Sequence, residues 1–309
     1  MALVVRVGNA RAEWWREKLQ GLLPDIDCRD WETPGDKADV EYAVVWKPPP
    51  GGLKTFPNLK CVVSMGAGID HVLVDPELPK HLPIIRTVGD DLRQRMREYV
   101  ALHVLRHHRR LPDIQAAQQR KAWDQIITPP APERHVAVLG LGNMGAEVAR
   151  TLAGIGFAVH GWSRRPKDLG GIVCHHGEAG LAELLPLAEI LVCLLPLTPA
   201  TEGILNNSLF AQLPEGAAVI NVGRGGHLVE EDLIPALDSG QLSGATLDVL
   251  RQEPPPEDHP FWTHPKVLLT PHIASLIDPE AGAKVIAENI RRFRAGEPVP
   301  DLVDLEQGY

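Results

Sequence analysis

Three polar residues that follow strand-like apolar runs suit the binding of a carboxylic acid and the transfer of a proton. Arg224 stands between glycines in Asn-Val-Gly-Arg-Gly-Gly, where the backbone can pass close to a ligand. A guanidinium there can hold a carboxylate through two parallel hydrogen bonds. Glu253 precedes three prolines, and His272 follows Thr-Pro after another strand. If the three residues lie along one edge of the sheet, they form a carboxylate anchor and a His–Glu pair that can transfer a proton.

Each of these residues, taken alone, can also be explained without a catalytic role. Arg224 and Glu253 would then be surface charges, and His272 a histidine satisfied within the fold. The chain contains 13 histidines, so His272 by itself carries little weight. The placement of all three residues just past strand ends is what favours a catalytic site.

A glycine motif, Gly140-x-Gly142-x-x-Gly145, lies between an apolar run at 136–139 and a segment with helical spacing of apolar residues. In dinucleotide-binding βαβ units, such glycines permit a tight turn, close approach of a pyrophosphate, and close packing of helix on strand. The helix N-terminus adds N–H groups and a positive dipole end. The motif therefore predicts a dinucleotide site, the alternative being an ordinary glycine-containing turn.

The next strand, 157–162, indicates which dinucleotide is bound. NAD-binding domains place an acid after this strand to accept hydrogen bonds from the ribose 2′-hydroxyl. Here Ser163-Arg-Arg-Pro-Lys follows, with cations at Arg164, Arg165 and Lys167. Guanidinium groups can hold a 2′-phosphate. We therefore expect NADPH to be preferred over NADH, although a solvated basic turn would have the same composition.

The elements that must position these residues alternate between strands and helices. Apolar runs predict strands at 3–7, 42–46, 60–64, 136–139, 157–162, 190–195, 217–222, 244–249 and 266–270. Helical patterns cover 11–23, 90–110, 180–188, 206–213, 230–239 and 279–296. The polar, proline-containing stretch 112–133 is expected to form a loop or an outward arm. This order predicts an α/β protein with two Rossmann-like, doubly wound parallel-sheet domains.

The last helix is expected to return the chain to the first domain, which would make that domain discontinuous. The predicted substrate-binding domain, flavodoxin-like, comprises 1–95 and 280–309, and the dinucleotide-binding domain comprises 96–279. Trp46 ends a strand of the first domain, at the sheet edge where ligands bind in α/β folds, although it could equally be a packing residue. The turn at 65–70 contains Ala67 and Gly68, whose backbone N–H groups can hold an anion.

Composition excludes several other classes of function. The formal net charge is -9 and no long basic run occurs, so nucleic acid and anionic membranes are poor partners. The apolar start is too short for a signal peptide, and no stretch approaches the ~20 apolar residues of a membrane span. Four scattered cysteines indicate reduced thiols in a cytoplasmic protein. No metal is expected.

These motifs, in this order, resemble those of the D-isomer-specific 2-hydroxyacid dehydrogenases, and within that family the glyoxylate/hydroxypyruvate reductase A type. The resemblance covers almost the whole chain. Its motifs are Trp46-Lys-Pro-Pro, Gly66-Ala-Gly-Ile-Asp70, Met96-Arg-Glu-Tyr-Val100, the dinucleotide glycines, Asn221-Val-Gly-Arg-Gly225, Leu247-Asp-Val, Glu253-Pro, Thr270-Pro-His-Ile-Ala274 and a C-terminus containing Val303-Asp304 and Gly308-Tyr309. Pro255 and Ser275 depart from the usual Leu and Ala, away from the proposed catalytic groups.

The resemblance implies a role for each matching residue. Arg224 would bind the substrate carboxylate and keto oxygen, His272 would be the acid–base, and Glu253 would pair with it. Trp46, Ala67 and Gly68 would contact the substrate. The residues implied at the cofactor are Gly140, Gly142, Asn143, Met144, Gly145, Ser163, Arg164, Arg165, Lys167, Pro196, Thr198, Val222 and Asp248.

The expected function is the NADPH-dependent reduction of a small 2-oxo acid, such as glyoxylate or hydroxypyruvate, to the D-2-hydroxy acid. The family also implies a homodimer. An NAD-dependent oxidative D-2-hydroxyacid dehydrogenase remains an alternative, which the basic turn after residue 162 argues against. A dinucleotide-sensing binding protein, like the corepressors that share this fold, is an alternative from another class.

Overall fold

The computed structural model describes residues 1–7 and 11–303. The part of the C-terminal family motif at 304–309 lies outside the described residues. The chain divides into two compact units. The first is Met1–Leu92 together with the chain from Ile277 onward, and the second is Arg93–Leu276. Both boundaries fall three residues before the predicted ones, 95/96 and 279/280.

The first unit contains a five-stranded parallel sheet in the order β2-β1-β3-β4-β5. Its strands are β1 (Ala2–Arg6), β2 (Asp27–Asp30), β3 (Val40–Val45), β4 (Cys61–Ser64) and β5 (Ile84–Ile85). This is the strand order of flavodoxin-like folds. Burial on both faces explains the apolar runs at 2–5 in β1, 42–45 in β3 and 61–63 in β4.

Helices α1 (Ala12–Leu22), α2 (Asp70–Leu73) and α9 (Pro279–Ala295) belong to this unit. On one face of the sheet, apolar residues of β1, β3 and β4 pack with α1 and α9. Helix α9 begins where the Asp278 side chain accepts a hydrogen bond from the backbone N–H of Ala281, and it ends at Gly296 with φ +69°. The chain after the second unit thus completes the core of the first, because α9 fills the same apolar cluster as β1.

The second unit contains a seven-stranded parallel sheet in the order β12-β11-β10-β9-β6-β7-β8. Its strands are β6 (His135–Leu139), β7 (Ala158–Ser163), β8 (Val173–His176), β9 (Ile190–Cys193), β10 (Ala217–Asn221), β11 (Leu242–Leu247) and β12 (Val267–Leu269). The order reverses between β6 and β9. Ligands of doubly wound sheets bind outside the strand ends at this switch point.

Helices cover both faces of the second sheet. The helices of this unit are α3 (Asp90–His108, which begins before the unit boundary), α4 (Leu111–Gln119), α5 (Asn143–Ile155), α6 (Gly177–Leu184), α7 (Asn207–Phe210) and α8 (Glu230–Asp238). Residues of α3 and α5 pack on one face, and residues of α6, α7 and α8 pack on the other. The predicted α/β class with two doubly wound parallel sheets is confirmed. None of the described helices combines the length and apolar character that a membrane span requires.

The structure differs from the sequence prediction in several local features. Strands β2, β5 and β8 were not predicted, since β2 and β8 are polar and β5 is only two residues long. The predicted loop at 112–133 begins instead with α4, whose Pro112 lies in the first helical turn, where proline is tolerated. The helix predicted at 206–213 is a single turn, α7.

Candidate active site

His272 and Glu253 meet although 19 residues separate them. The His272 Nδ1 lies 2.8 Å from a carboxylate oxygen of Glu253, and the two side chains are 40% and 33% exposed. The other carboxylate oxygen of Glu253 accepts a hydrogen bond from the backbone N–H of Leu250 at 3.1 Å. The carboxylate is therefore held on two sides, and its hydrogen bond to Nδ1 leaves Nε2 as the nitrogen that can exchange a proton with a substrate.

The backbone of His272 is in the left-handed region, with φ +54°. This conformation is uncommon for a residue other than glycine and must be imposed by its surroundings. The backbone N–H of His272 donates to the carbonyl oxygens of Asp248 (2.9 Å) and Thr270 (3.0 Å). The Asp248 side chain accepts from the backbone N–H groups of Ile273 (2.9 Å) and Ala274 (2.8 Å). The loop that carries His272 is thus fixed from both sides.

Asp248 directly follows β11 and is 2% exposed. Its burial raises the pKa of the carboxyl above the usual value, while its hydrogen bonds with Thr270, Ala274 and Ile273 act in the opposite direction. Asp248 was expected near the cofactor because of the family resemblance. The structure adds that its carboxylate binds the His272 loop, and its role toward a cofactor stays a prediction.

Arg224 lies just past β10 and is half-buried. Its backbone N–H donates to Nδ1 of His227 at 3.0 Å, and its carbonyl oxygen accepts from the Asn221 side chain at 3.0 Å. The guanidinium donates to the carbonyl oxygen of Gly223 at 2.7 Å. The side chains of Asn221 and His227 therefore fix the backbone from which the guanidinium extends. The role of Arg224 as carboxylate anchor stays a prediction.

The glycine motif connects β6 to α5, as predicted. Gly140 has φ +100°, and a Cβ there would come 2.7 Å from the carbonyl oxygen of Leu194. A Cβ on Gly145 would overlap the carbonyl oxygen of Gly140. At Gly142 the backbone is exposed, and no heavy atom of the described chain beyond its neighbours lies within 4 Å of an ideal Cβ position. A pyrophosphate therefore has room beside the first turn of α5.

The basic turn follows β7 and is open to solvent. Arg164, Arg165 and Lys167 are exposed, while Ser163 is half-buried and its hydroxyl donates to the carbonyl oxygen of Arg165 at 2.7 Å. No acid occupies the end of β7, which is Ser163. The loop thus presents cations and a hydroxyl where an NAD-binding domain presents a carboxylate.

The remaining predicted cofactor residues also lie at the carboxyl edge of the second sheet. Pro196 and Thr198 follow β9, where the Thr201 hydroxyl donates to the carbonyl oxygen of Pro196 at 2.7 Å. Val222 follows β10 and is buried. Asn143 and Met144 open α5. All of them therefore lie at the sheet edge that carries Arg224, Glu253 and His272.

In the first unit, Trp46 and the Gly66–Gly68 turn follow β3 and β4. The Trp46 ring packs on the His71 ring, with centroids 4.4 Å apart. The backbone N–H of Lys47 donates to Nδ1 of His71 at 3.2 Å, so Nε2 carries the proton of the neutral ring and donates to the Ser64 hydroxyl at 3.0 Å. That hydroxyl donates to the carbonyl oxygen of Gly68 at 2.8 Å. His71 and Ser64 thus order both predicted substrate segments, a contribution that the motifs did not reveal.

Tyr99 and Thr270 were quoted within family motifs but not predicted as site residues. The Tyr99 hydroxyl lies 2.5 Å from the Thr270 hydroxyl, which donates to the Asp248 carboxylate at 2.6 Å. The position of Thr270, two residues before His272, was the available signal. Its partner on α3 is 171 residues away in sequence, and no local pattern indicates that contact.

Comparison with known proteins identifies the family. Residues 101–274 match the family model described as D-isomer specific 2-hydroxyacid dehydrogenase, NAD binding domain. A glyoxylate/hydroxypyruvate reductase A from Yersinia enterocolitica is 41% identical over 308 residues, covering 96% of both chains. The chain therefore belongs to the D-isomer-specific 2-hydroxyacid dehydrogenase family and is an oxidoreductase, as the sequence motifs predicted.

Solved structures agree with this assignment over the whole fold. A D-isomer-specific 2-hydroxyacid dehydrogenase from Xanthobacter autotrophicus Py2, in complex with NADPH and MES, has a TM-score of 0.94 and 44% identity, covering 100% of this chain and 99% of that chain. An NADPH-dependent glyoxylate/hydroxypyruvate reductase from Sinorhizobium meliloti, in complex with NADP and sulfate, has a TM-score of 0.91 and 37% identity, covering 100% of both chains. The cofactors in these two structures agree with the predicted preference for NADPH.

Proposed function

We propose that the protein reduces glyoxylate, hydroxypyruvate and similar small 2-oxo acids with NADPH, releasing the D-2-hydroxy acid and NADP⁺. The observation that carries this proposal is the 2.8 Å contact between His272 and Glu253 at the sheet edge that also bears the glycine motif. Family membership and the reductase names of the relatives support the reaction class. The roles of the individual residues belong to the same proposal.

His272 is the general acid of the proposed reaction. The cofactor supplies hydride to the keto carbon, and the keto oxygen must receive a proton at the same centre. With Nδ1 hydrogen-bonded to Glu253, the imidazolium donates its Nε2 proton to that oxygen and is left neutral. The Glu253 carboxylate stabilises the imidazolium before the transfer and fixes the ring orientation.

Arg224 is the proposed anchor for the substrate carboxylate. Its planar guanidinium has several N–H donors, so it can hold a carboxylate while another N–H polarises the keto oxygen. In the first unit, we assign the backbone N–H groups of Ala67 and Gly68 to the substrate carboxylate and the Trp46 ring to limiting substrate size. The first unit is accordingly the proposed substrate domain.

The second unit is the proposed NADPH domain. The open backbone at Gly142 and the N-terminus of α5 would receive the pyrophosphate. Arg164, Arg165 and Lys167, with Ser163, would receive the 2′-phosphate. Bound NADPH or NADP in the similar structures supports this assignment.

The proposal also includes a homodimer acting in the cytoplasm. The four cysteines are free, and three of them, Cys28, Cys61 and Cys193, are buried, which suits a reducing compartment. Gel filtration with light scattering would measure the oligomeric state directly, and a monomer at micromolar concentration would contradict the dimer.

The decisive experiment is a panel of 2-oxo acids assayed with both cofactors by absorbance of the reduced nicotinamide. We expect turnover of glyoxylate and hydroxypyruvate with NADPH, and a large loss of kcat in His272→Ala, about 10²–10⁴-fold, as for a lost general acid. Preferred oxidation of D-2-hydroxy acids with NAD would favour an oxidative dehydrogenase instead. NADPH binding without turnover of any 2-oxo acid would favour a sensing protein.

A further inference from the structure

A relay of two hydroxyl groups connects helix α3 to the loop of His272. Tyr99 is 9% exposed, and its hydroxyl lies 2.5 Å from that of Thr270. The Thr270 hydroxyl lies 2.6 Å from Oδ1 of Asp248. All three residues belong to the second unit. The Tyr99 side chain on α3 contacts Thr270, and Thr270 contacts Asp248, which directly follows β11.

The direction of the hydrogen bonds follows from the carboxylate. An ionised Asp248 can only accept, so the single hydroxyl proton of Thr270 points to Oδ1. The Thr270 oxygen then accepts from the Tyr99 hydroxyl. Burial raises the pKa of the Tyr99 phenol, which keeps it protonated and able to donate. The hydrogen bonds of the relay therefore run in one direction: Tyr99 donates to Thr270, and Thr270 donates to Asp248.

The same carboxylate holds the backbone on the far side of His272. Oδ1 also accepts from Ile273, and Oδ2 accepts from Ala274, while the carbonyl oxygen of Asp248 accepts from His272 itself. Rotation of the Asp248 side chain would break the two carboxylate bonds, to Ile273 and Ala274, together. The Thr270 hydroxyl opposes that rotation, because it approaches Oδ1 alongside the Ile273 N–H.

We propose that Tyr99 and Thr270 are positioning residues for the proton donor His272. They fix the Asp248 carboxylate, and the carboxylate fixes the left-handed backbone that aims the imidazole. Neither hydroxyl is assigned to substrate or cofactor. This inference rests on the proposed function, in which His272 is the general acid.

Hydroxyl deletions test the relay with little change of shape. Thr270→Val removes a charge-assisted hydrogen bond from a buried carboxylate and should lower kcat about 10-fold or more, with a smaller change in the KM for glyoxylate. Thr270→Ser keeps the hydroxyl and should restore most of the loss. Tyr99→Phe should lower kcat about 3-fold, the effect of one neutral hydrogen bond. The matched control is Thr246→Val, a buried threonine on β11 whose hydroxyl pairs with His107 instead.

Combined variants determine whether the effects pass through the named partners. Because Tyr99 acts through Thr270, Tyr99→Phe should have no further effect in the Thr270→Val background. Because Thr270 acts through His272, Thr270→Val should not lower the residual kcat of His272→Ala. Equal effects of Thr270→Val with and without the imidazole would overturn the proposal, since the hydroxyl would then act on something else.

A second measurement does not depend on turnover. The imidazole Cε1–H resonance of His272 is the proton NMR signal that His272→Ala lacks. It should shift or broaden in Thr270→Val and Tyr99→Phe, and stay in place in Thr246→Val. An unchanged resonance in Thr270→Val overturns the positioning role. A changed resonance in a protein that fails to reduce glyoxylate would leave the positioning role standing and remove the proposed function.

Discussion

Replacing Glu253 by glutamine preserves the shape of the side chain and changes what its two terminal atoms offer. The backbone N–H of Leu250 donates to one of them at 3.1 Å, and His272 Nδ1 lies 2.8 Å from the other. The amide oxygen of Gln must face Leu250, because the amide NH₂ in that place would oppose the backbone N–H of Leu250, which is also a donor. The amide NH₂ then faces Nδ1, which can accept only when the imidazole is neutral and carries its proton on Nε2.

The size of the effect follows from the lost charge-assisted bond. Hydrogen bonds to charged groups contribute about 1.5–3 kcal/mol, and the partial exposure of this pair favours the lower value through solvent screening. About 1.5 kcal/mol corresponds to a fall in kcat/KM for glyoxylate of about 10-fold. The reverse oxidation should fall by the same factor when cofactor affinity is unchanged, because an enzyme does not alter the equilibrium constant.

The assay is steady-state reduction of glyoxylate followed by NADPH absorbance, with cofactor affinity measured by fluorescence titration. Glu257→Gln supplies the control, since Glu257 is exposed on the same proline-containing loop. It should behave as the unaltered enzyme. A Glu253→Gln enzyme within about twofold of the unaltered kcat/KM would refute the reasoning, because the pairing would then have no catalytic effect.

Three further predictions concern the other parts of the second unit. Arg224→Lys should remain strongly impaired in glyoxylate turnover, because an ammonium cannot reproduce the planar fork; near-normal KM and kcat would show that another group holds the acid. The kcat/KM with NADPH should exceed that with NADH by at least ~10-fold, and the double variant Ser163→Asp with Arg164→Ala should abolish or reverse this preference. Equal use of both cofactors by the unaltered protein would exclude 2′-phosphate binding at this turn. Burial lowers the pKa of His107 to about 3, against an ordinary value of ~6.5. Between these two pH values the unfolded chain binds more protons than the folded chain. The free energy of unfolding therefore declines as pH falls from about 6.5 towards 3. His107→Gln should therefore flatten the fall of Tm between pH 6.5 and 4 measured by calorimetry, and an unchanged slope would show that other groups cause it.

Local patterns were sufficient for most of the architecture. The runs in β1, β3, β6, β9 and β10 are apolar because parallel strands are buried on both faces, so their positions could be predicted to within a few residues. The short or polar strands β2, β5 and β8 carry no such pattern. Pairing with a neighbour makes them strands, and only the folded chain supplies the neighbour.

The glycine motif, the basic turn after β7, and the family itself were determined by the sequence alone. The glycine motif and the basic turn lie within one βαβ unit of about 30 residues, and their backbone requirements and charges are intrinsic to their residue types. The family is recognised from short motifs spread along almost the whole chain, each of which is local in sequence. What the tertiary structure decided is which side chains meet. Tyr99 reaches Thr270 across 171 residues of sequence, and Asp248 binds the loop of His272 rather than only facing a ligand. Such contacts depend on strand register and helix placement, which the whole chain fixes together, and therefore no segment of the sequence encodes them by itself.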